Sequence, residues 1–264
     1  DAAVAVILAA GKSTRMKSRL PKPLHNLCGL PLTRHVIEAC RAAGIQRVLV
    51  VIGHEAERVR AGLGDDVEYA YQIEQRGTGH AALCTESVLN GYDGPVLILA
   101  GDAPLIRPET IRGLLSAASQ PGVFGAMLVA TLDDPTGYGR VLLDDEGNVR
   151  RIVEQKDASP EEAEVRTWNP SVYCFRGKGL WDRLHRIRAD NAQGEYYLTD
   201  VVGLATSDGG RVAGVAVDDA SEVLGVNSRV DLAQVAKILR ARILRDLMLS
   251  GVTIIDPPST MIDD

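Results

Sequence analysis

Cysteine is scarce and unpatterned in this chain of 264 residues. Its four cysteines, Cys28, Cys40, Cys84 and Cys174, form no Cys-x-x-Cys pair and no other metal-ligand spacing. That excludes a zinc framework read from spacing and fits reduced, mostly buried thiols in a reducing cytosol. No apolar run approaches the roughly 18 residues that a membrane helix needs. AAVAVILAA (2–10) has no basic segment before it, so it reads as a buried strand and not as a signal-peptide core. Internal repeats and low-complexity segments are absent. The formal net charge of −6 and the isoelectric point near 5.5 speak against a nucleic-acid partner. One sign of charge is also missing locally. Between Asp1 and Glu38 there is no acid, and the 36 residues between them hold six Lys or Arg.

What is present is an ordinary globular composition, 45% hydrophobic and 24% charged, enough for one large α/β domain or two small ones. In the first half, short apolar runs alternate with amphipathic segments. Residues 3–8, 47–52, 67–71, 95–100 and 123–132 read as strands, and 32–43, 55–63, 79–89 and 108–118 as helices. That alternation predicts βαβ units and a mostly parallel sheet covered on both faces. After Asp133 the pattern loosens. Residues 141–154 read as two strands around a turn at Asp145–Gly147, 169–175 and 211–217 as strands, and 178–189 and 195–207 as helices. This half is expected to form a smaller β-rich lobe laid over the sheet. Residues 229–249 carry one apolar stripe, Leu232, Val235, Leu239, Ile243 and Leu247, with Gly251 as C-cap.

The acid-free window contains LAAGKSTRMKSRLPKP (8–23), directly after the first strand. A loop at the carboxyl end of a parallel strand is where open α/β sheets bind ligands. Gly11 lets the backbone come close, and Lys and Arg bind phosphate oxygens. An anion site, for polyphosphate, is therefore expected. GKST (11–14) is not the end of a Walker A loop, because that loop needs Gly five residues before Gly11 and Val6 stands there. GTGHAA (77–82) fits a dinucleotide-binding fingerprint but follows the third strand, and no acid lies about twenty residues on. The five histidines form no cluster and receive no catalytic role; His80 is read as packing at a helix start.

LAAGKSTRM with LPKPLH resembles the signature of the sugar-nucleotidyltransferases. GTGHA, GDAPL, DDPTGYGR, IVEQKDA, NAQGEYYLTD and GVNSR follow in that family's order and spacing. Together they resemble the uridylyltransferase domain of the bacterial bifunctional N-acetylglucosamine-1-phosphate uridylyltransferase / glucosamine-1-phosphate acetyltransferases, over essentially the whole chain. The resemblance implies a Rossmann-like, nucleotide-diphospho-sugar transferase fold. It implies that UTP and N-acetylglucosamine 1-phosphate give UDP-N-acetylglucosamine and pyrophosphate, with Mg²⁺, in the cytoplasm. By position it assigns Leu8, Ala9, Ala10, Gly11, Gln72, Gly77, Thr78, Ala100 and Gly101 to the nucleotide. Arg15, Lys22 and Asp102 become the catalytic set, Asp102 and Asn227 the metal ligands, and Gly139, Glu154, Asn169, Thr199 and Asn227 the sugar site. Each of the three acidic or amide anchors has a plainer reading: Asp102 as a turn residue before Pro104, Asn227 as a helix N-cap, and Glu154 as a solvated strand residue.

Three positions depart from the pattern. Ser13 replaces a loop glycine, Ala100 replaces a polar residue, and Asn169-Pro170-Ser171 replaces NTG or NSG beside the sugar. Another sugar-1-phosphate nucleotidyltransferase, or a weakened nucleotide-binding regulatory module, stays open as an alternative. The expected organisation is a transferase domain over 1–227, with nucleotide half 1–132 and sugar half 133–227. A helix over 228–250 follows, then the start of a linker at 251–264. That tail resembles the junction into a left-handed β-helix acetyltransferase domain. Acetyl transfer and the homotrimer that domain organises are expected to be absent from this chain, leaving it a monomer.

Overall fold

The computed structural model describes residues 2–89 and 92–263. The strands are β1 (Val4–Leu8), β2 (Asn26–Leu27), β3 (Leu30–Pro31), β4 (Arg47–Ile52), β5 (Glu68–Tyr71), β6 (Pro95–Ala100), β7 (Val123–Thr131), β8 (Arg140–Leu143), β9 (Val149–Val153), β10 (Thr167–Trp168), β11 (Val172–Arg176) and β12 (Arg211–Ala216). The helices are α1 (Leu32–Ala42), α2 (Ala56–Leu63), α3 (Thr78–Leu83), α4 (Pro108–Ala118), α5 (Pro160–Ala163), α6 (Gly177–Arg186), α7 (Asp200–Ser207) and α8 (Arg229–Leu249). Ten strands make one sheet in the order β5-β4-β1-β6-β11-β7-β10-β8-β9, with β12 added parallel to β7.

β1, β4 and β6 are near-continuous Val, Ile, Leu and Ala because both of their faces are covered. One apolar cluster lies on each face of the sheet. β1 pairs in parallel with both β4 and β6, and the register sets Leu8 opposite Ala100. The loop after β1 and the Gly101–Asp102 turn after β6 therefore open side by side at one edge. The Gly101 N–H donates to the Leu8 carbonyl at 2.9 Å.

The second half differs from the expected overlying lobe. β11 runs antiparallel inside the main sheet, hydrogen-bonded to β6 on one side and β7 on the other. Its VYCF run is fully buried, and that composition suits a central strand of either direction. Only β8, β9 and β10 extend the sheet as an antiparallel flap. Helix 79–89 ends at Leu83 and continues as turns, while 195–199 precedes α7 as irregular backbone.

A third, smaller cluster packs Met16, Leu27, Leu32, Leu105, Val226 and Val235 together. It ties the basic loop, the β2–β3 hairpin, the loop after β6 and α8 to one another. Burying a side chain such as Met16 contributes about 1.5–3 kcal/mol. Met16 adjoins Arg15, and Val226 adjoins Asn227, so this cluster sets where both polar residues stand. α8 begins with a capping box in which Ser228 accepts from Asp231 N–H and the Asp231 carboxylate accepts from Ser228 N–H. Gly251 follows it at φ 104.

Candidate active site

A cavity of about 610 Å³ opens at the carboxyl edge of β1 and β6. Leu8, Ala9, Ala10 and Gly11 form one wall, and Ala100, Gly101 and Asp102 the floor beside it. Gln72, Gly77, Thr78, Glu154, Thr199 and Lys22 also line the cavity. The wall is rigid: Ala9 N–H donates to Val51 O at 2.9 Å, and Thr33 Oγ1, fully buried, donates to Gly101 O at 2.7 Å.

Four residues assigned from separate motifs converge beside that cavity. The Lys22 ammonium is ion-paired with Asp102 Oδ2 and lies 3.5 Å from Asn227 Oδ1. The Arg15 guanidinium donates to the same Asn227 oxygen at 3.0 Å. Asn227 is not the N-cap of α8; Ser228 is. The Asn227 side chain is thus free of capping duty and turns toward Asp102. The Val226 N–H holds the two segments together by donating to Asp102 O at 2.8 Å.

A hard divalent cation fits this donor set. One carboxylate oxygen and one amide oxygen face a common point, and a cationic ammonium stands between them as a singly charged stand-in. Two protein oxygens leave the other positions of an octahedral ion to phosphate oxygens and water. No group of three or more His, Cys, Asp or Glu able to hold a metal occurs among the described residues.

Gln72 is buried and its Nε2 donates to Gly77 O at 3.0 Å. Gly77 has φ 110, and a Cβ there would lie 2.5 Å from the Tyr196 carbonyl oxygen, so only glycine lets the 195–199 segment close over it. That segment is strapped down by Gly79 N–H to Tyr196 O at 2.8 Å and by Leu198 N–H to Thr78 Oγ1 at 3.0 Å. It carries Tyr197, Leu198 and Thr199 into the cavity wall.

Thr199 Oγ1 donates to Glu154 Oε1 at 3.4 Å. Burial, reinforced by Asp157 and Asp200, raises the Glu154 carboxyl above the ordinary glutamate range, although its bond from Thr199 acts in the opposite sense. A carboxylate desolvated in this way can accept a hydrogen bond from a ligand hydroxyl. Gly139 abuts Glu154, with room for a Cβ only 3.4 Å from Oε2. Asn169 is placed differently from the rest. Its Nδ2 donates to the Tyr173 hydroxyl at 2.6 Å and its Oδ1 accepts from Ser171 N–H at 2.9 Å, so Tyr173 and Ser171 line the cavity in its place.

Arg15, Gly139, Asn169 and Asn227 are the assigned residues that are not part of the cavity lining. Gln75, Tyr173, Gln193, Glu195 and Tyr197 line it without having been singled out. The last three belong to NAQGEYYLTD, the segment that also carries Thr199. Both serines that replace family glycines, Ser13 and Ser171, adopt left-handed backbone at φ 51 and φ 60. None of the cysteines enters the lining, and burial pushes the Cys40 and Cys174 thiols up to about 12.

Fold and cavity together define a mostly parallel α/β domain with a cation-rimmed cleft at the carboxyl edge of its sheet. The chain belongs to the MobA-like NTP transferase domain family, whose profile matches residues 5–201. Among its relatives, a bifunctional protein GlmU of Pelobacter propionicus is 50% identical over 262 residues, 98% of this chain and 57% of that protein. One of Pelotomaculum thermopropionicum is 49% identical over 259 residues, 98% of this chain and 57% of that protein. One of Acetivibrio thermocellus is 44% identical over 261 residues, 99% and 57%. The chain thus spans a little over half the length of these curated relatives. A UDP-glucose pyrophosphorylase solved with UDP-glucose superposes with a TM-score of 0.71 at 16% identity, covering 92% of this chain and all of that one, which shows the shared fold. No described helix is long and apolar enough to cross a membrane.

Proposed function

We propose that this chain transfers uridylyl from UTP to N-acetylglucosamine 1-phosphate, with Mg²⁺, releasing pyrophosphate and UDP-N-acetylglucosamine, a precursor for the cell wall, in the cytoplasm. The observation that carries it is the meeting of Arg15, Lys22, Asp102 and Asn227 beside one cavity whose lining also holds the LAAG backbone, Gln72 and Glu154. The motif resemblance and the bifunctional relatives support the choice of substrates.

The sugar phosphate brings an oxygen that is already anionic, so no general base is needed. It forms a bond to the α-phosphorus as the α–β bridging P–O bond breaks, and pyrophosphate leaves with that electron pair. Bringing two polyanions into line is the difficult step, and positioning with charge neutralisation accomplishes it. Lys22 and Arg15 supply fixed positive charge where the phosphates meet. Asp102 and Asn227 would hold Mg²⁺, which when bound neutralises the α-phosphate and orients it. The LAAG backbone, Gln72 and Gly77 hold the base. Glu154, Thr199 and Gly139 orient the sugar, and the strap over 195–199 excludes water from the reacting face. Pyrophosphate release from UTP and N-acetylglucosamine 1-phosphate, abolished by EDTA and restored by Mg²⁺, is the expected result. No release at millimolar substrates with Mg²⁺ present would refute the reading.

A further inference from the structure

Gln72 follows β5, is 3% exposed and lines the cavity. A primary amide can offer a ligand either donors or an acceptor, and its neighbours decide which. Here both donors of Nε2 are used within the protein, one by Gly77 O at 3.0 Å and the other by His80 Nδ1 at 3.1 Å. A backbone carbonyl can only accept, so it keeps the nitrogen on that side. His80 Nδ1 accepts only in the tautomer that carries its proton on Nε2, and Nε2 lies 4.0 Å from Cys84 Sγ, a weak acceptor. Oε1 has no partner among the described residues, yet it is not among the side-chain atoms sealed from solvent, so it opens on the cavity.

We propose that His80 is a positioning residue for nucleotide selection: by accepting from Gln72 it locks the amide so that the cavity is offered an acceptor. That edge matches a base with a ring N–H, such as uracil or thymine at N3, and meets the lone pair of cytosine N3 unfavourably. The inference rests on the base site assigned above. It reaches past helix-start packing, because a histidine that merely filled space would have no say in which end of Gln72 faces the ligand. Losing the Nδ1 lone pair removes one of the two bonds that hold the amide in this orientation, leaving Gly77 O alone, so turning it over to accommodate cytosine costs less.

The test compares kcat/KM for UTP and for CTP in wild type, His80→Phe and His80→Asn, with N-acetylglucosamine 1-phosphate and Mg²⁺ saturating. One hydrogen bond to a buried group is worth about a factor of ten, so the UTP-to-CTP ratio should fall about tenfold in H80F. The fall should come through KM for UTP, not kcat. In H80N the Oδ1 can replace Nδ1, and the ratio should stay near wild type. An unchanged ratio in H80F, or an equal fall in H80N, overturns the proposal. Independently of folding in any variant, ¹⁵N correlation spectra of the wild type should show His80 protonated on Nε2 alone; a proton on Nδ1 overturns it. A wild type inactive with every nucleotide would refute the function itself, whereas an active wild type with an unmoved ratio refutes only the role of His80.

Discussion

Replacing Asp102 by Asn keeps shape and removes one negative charge from the point where the cations meet. The Asp102 and Lys22 side chains are 22% and 16% exposed, so their charges are only partly screened. At a separation of about 4 Å and an effective dielectric of about 20, a unit charge pair is worth about 4 kcal/mol. Each factor of ten in rate corresponds to about 1.4 kcal/mol, so turnover at fixed Mg²⁺ should fall by about a thousandfold. Raised Mg²⁺ should recover part of it, because the Asn227 oxygen and the substrate phosphates remain. The fold should survive. Lys22 loses its partner but faces an open cavity, a loss of about 1 kcal/mol, between the values for exposed and buried pairs. The assay is pyrophosphate release across a Mg²⁺ titration, paired with a thermal melt. Activity within threefold of wild type at every Mg²⁺ concentration would refute the metal assignment.

Three further outcomes follow from the same geometry. Gly77→Ala places a Cβ 2.5 Å from Tyr196 O at φ 110 and should cost at least about 2 kcal/mol, read as a lower denaturant midpoint with a raised KM for UTP; an unmoved midpoint would contradict it. Burial raises the Glu154 carboxyl, so the folded state holds that proton more tightly than the unfolded chain does, and its stabilising effect is full at low pH and lost as pH rises through the raised value. Glu154→Gln should therefore melt higher than wild type at pH 7.5 and equal it near pH 4, while binding sugar phosphate more weakly; the same gap at both pH values would contradict it. Ser171→Gly relieves left-handed backbone at φ 60 and should raise the denaturant midpoint by about 0.5–1 kcal/mol, and a fall would show that no strain is held there.

The parallel half of the fold was legible because each of its strands announces itself locally. AVAVIL, RVLVVI and PVLILA are buried on both faces, and a helix follows each, after the long basic loop in the case of AVAVIL. β11 was legible as a strand but not as a neighbour of β6 and β7, since antiparallel insertion between strands far apart in sequence leaves no local periodicity. α7 starts at Asp200 and not at 195 because the Tyr196 and Leu198 backbone bonds to residues 76–79 instead of to a helix. The residues after β1 and β6 could be placed at one edge from sequence, as the parallel register requires. Asn227 reaches them only through the Met16–Leu105–Val226 cluster, which sequence does not reveal. Tyr173 lines the cavity from a strand that reads as core, and Asn169 turns its amide inward to that tyrosine; both depend on where β11 lies.

A crystal of the chain with Mn²⁺ and UDP-N-acetylglucosamine, measured at the manganese absorption edge, would show whether metal, cations and nucleotide sugar meet at one cleft. We expect an anomalous peak between the Asp102 and Asn227 side-chain oxygens, with the diphosphate beside Lys22 and Arg15, uracil against Gln72, and the sugar at Glu154. A peak elsewhere, or a nucleotide sugar bound away from those four side chains, would contradict this expectation.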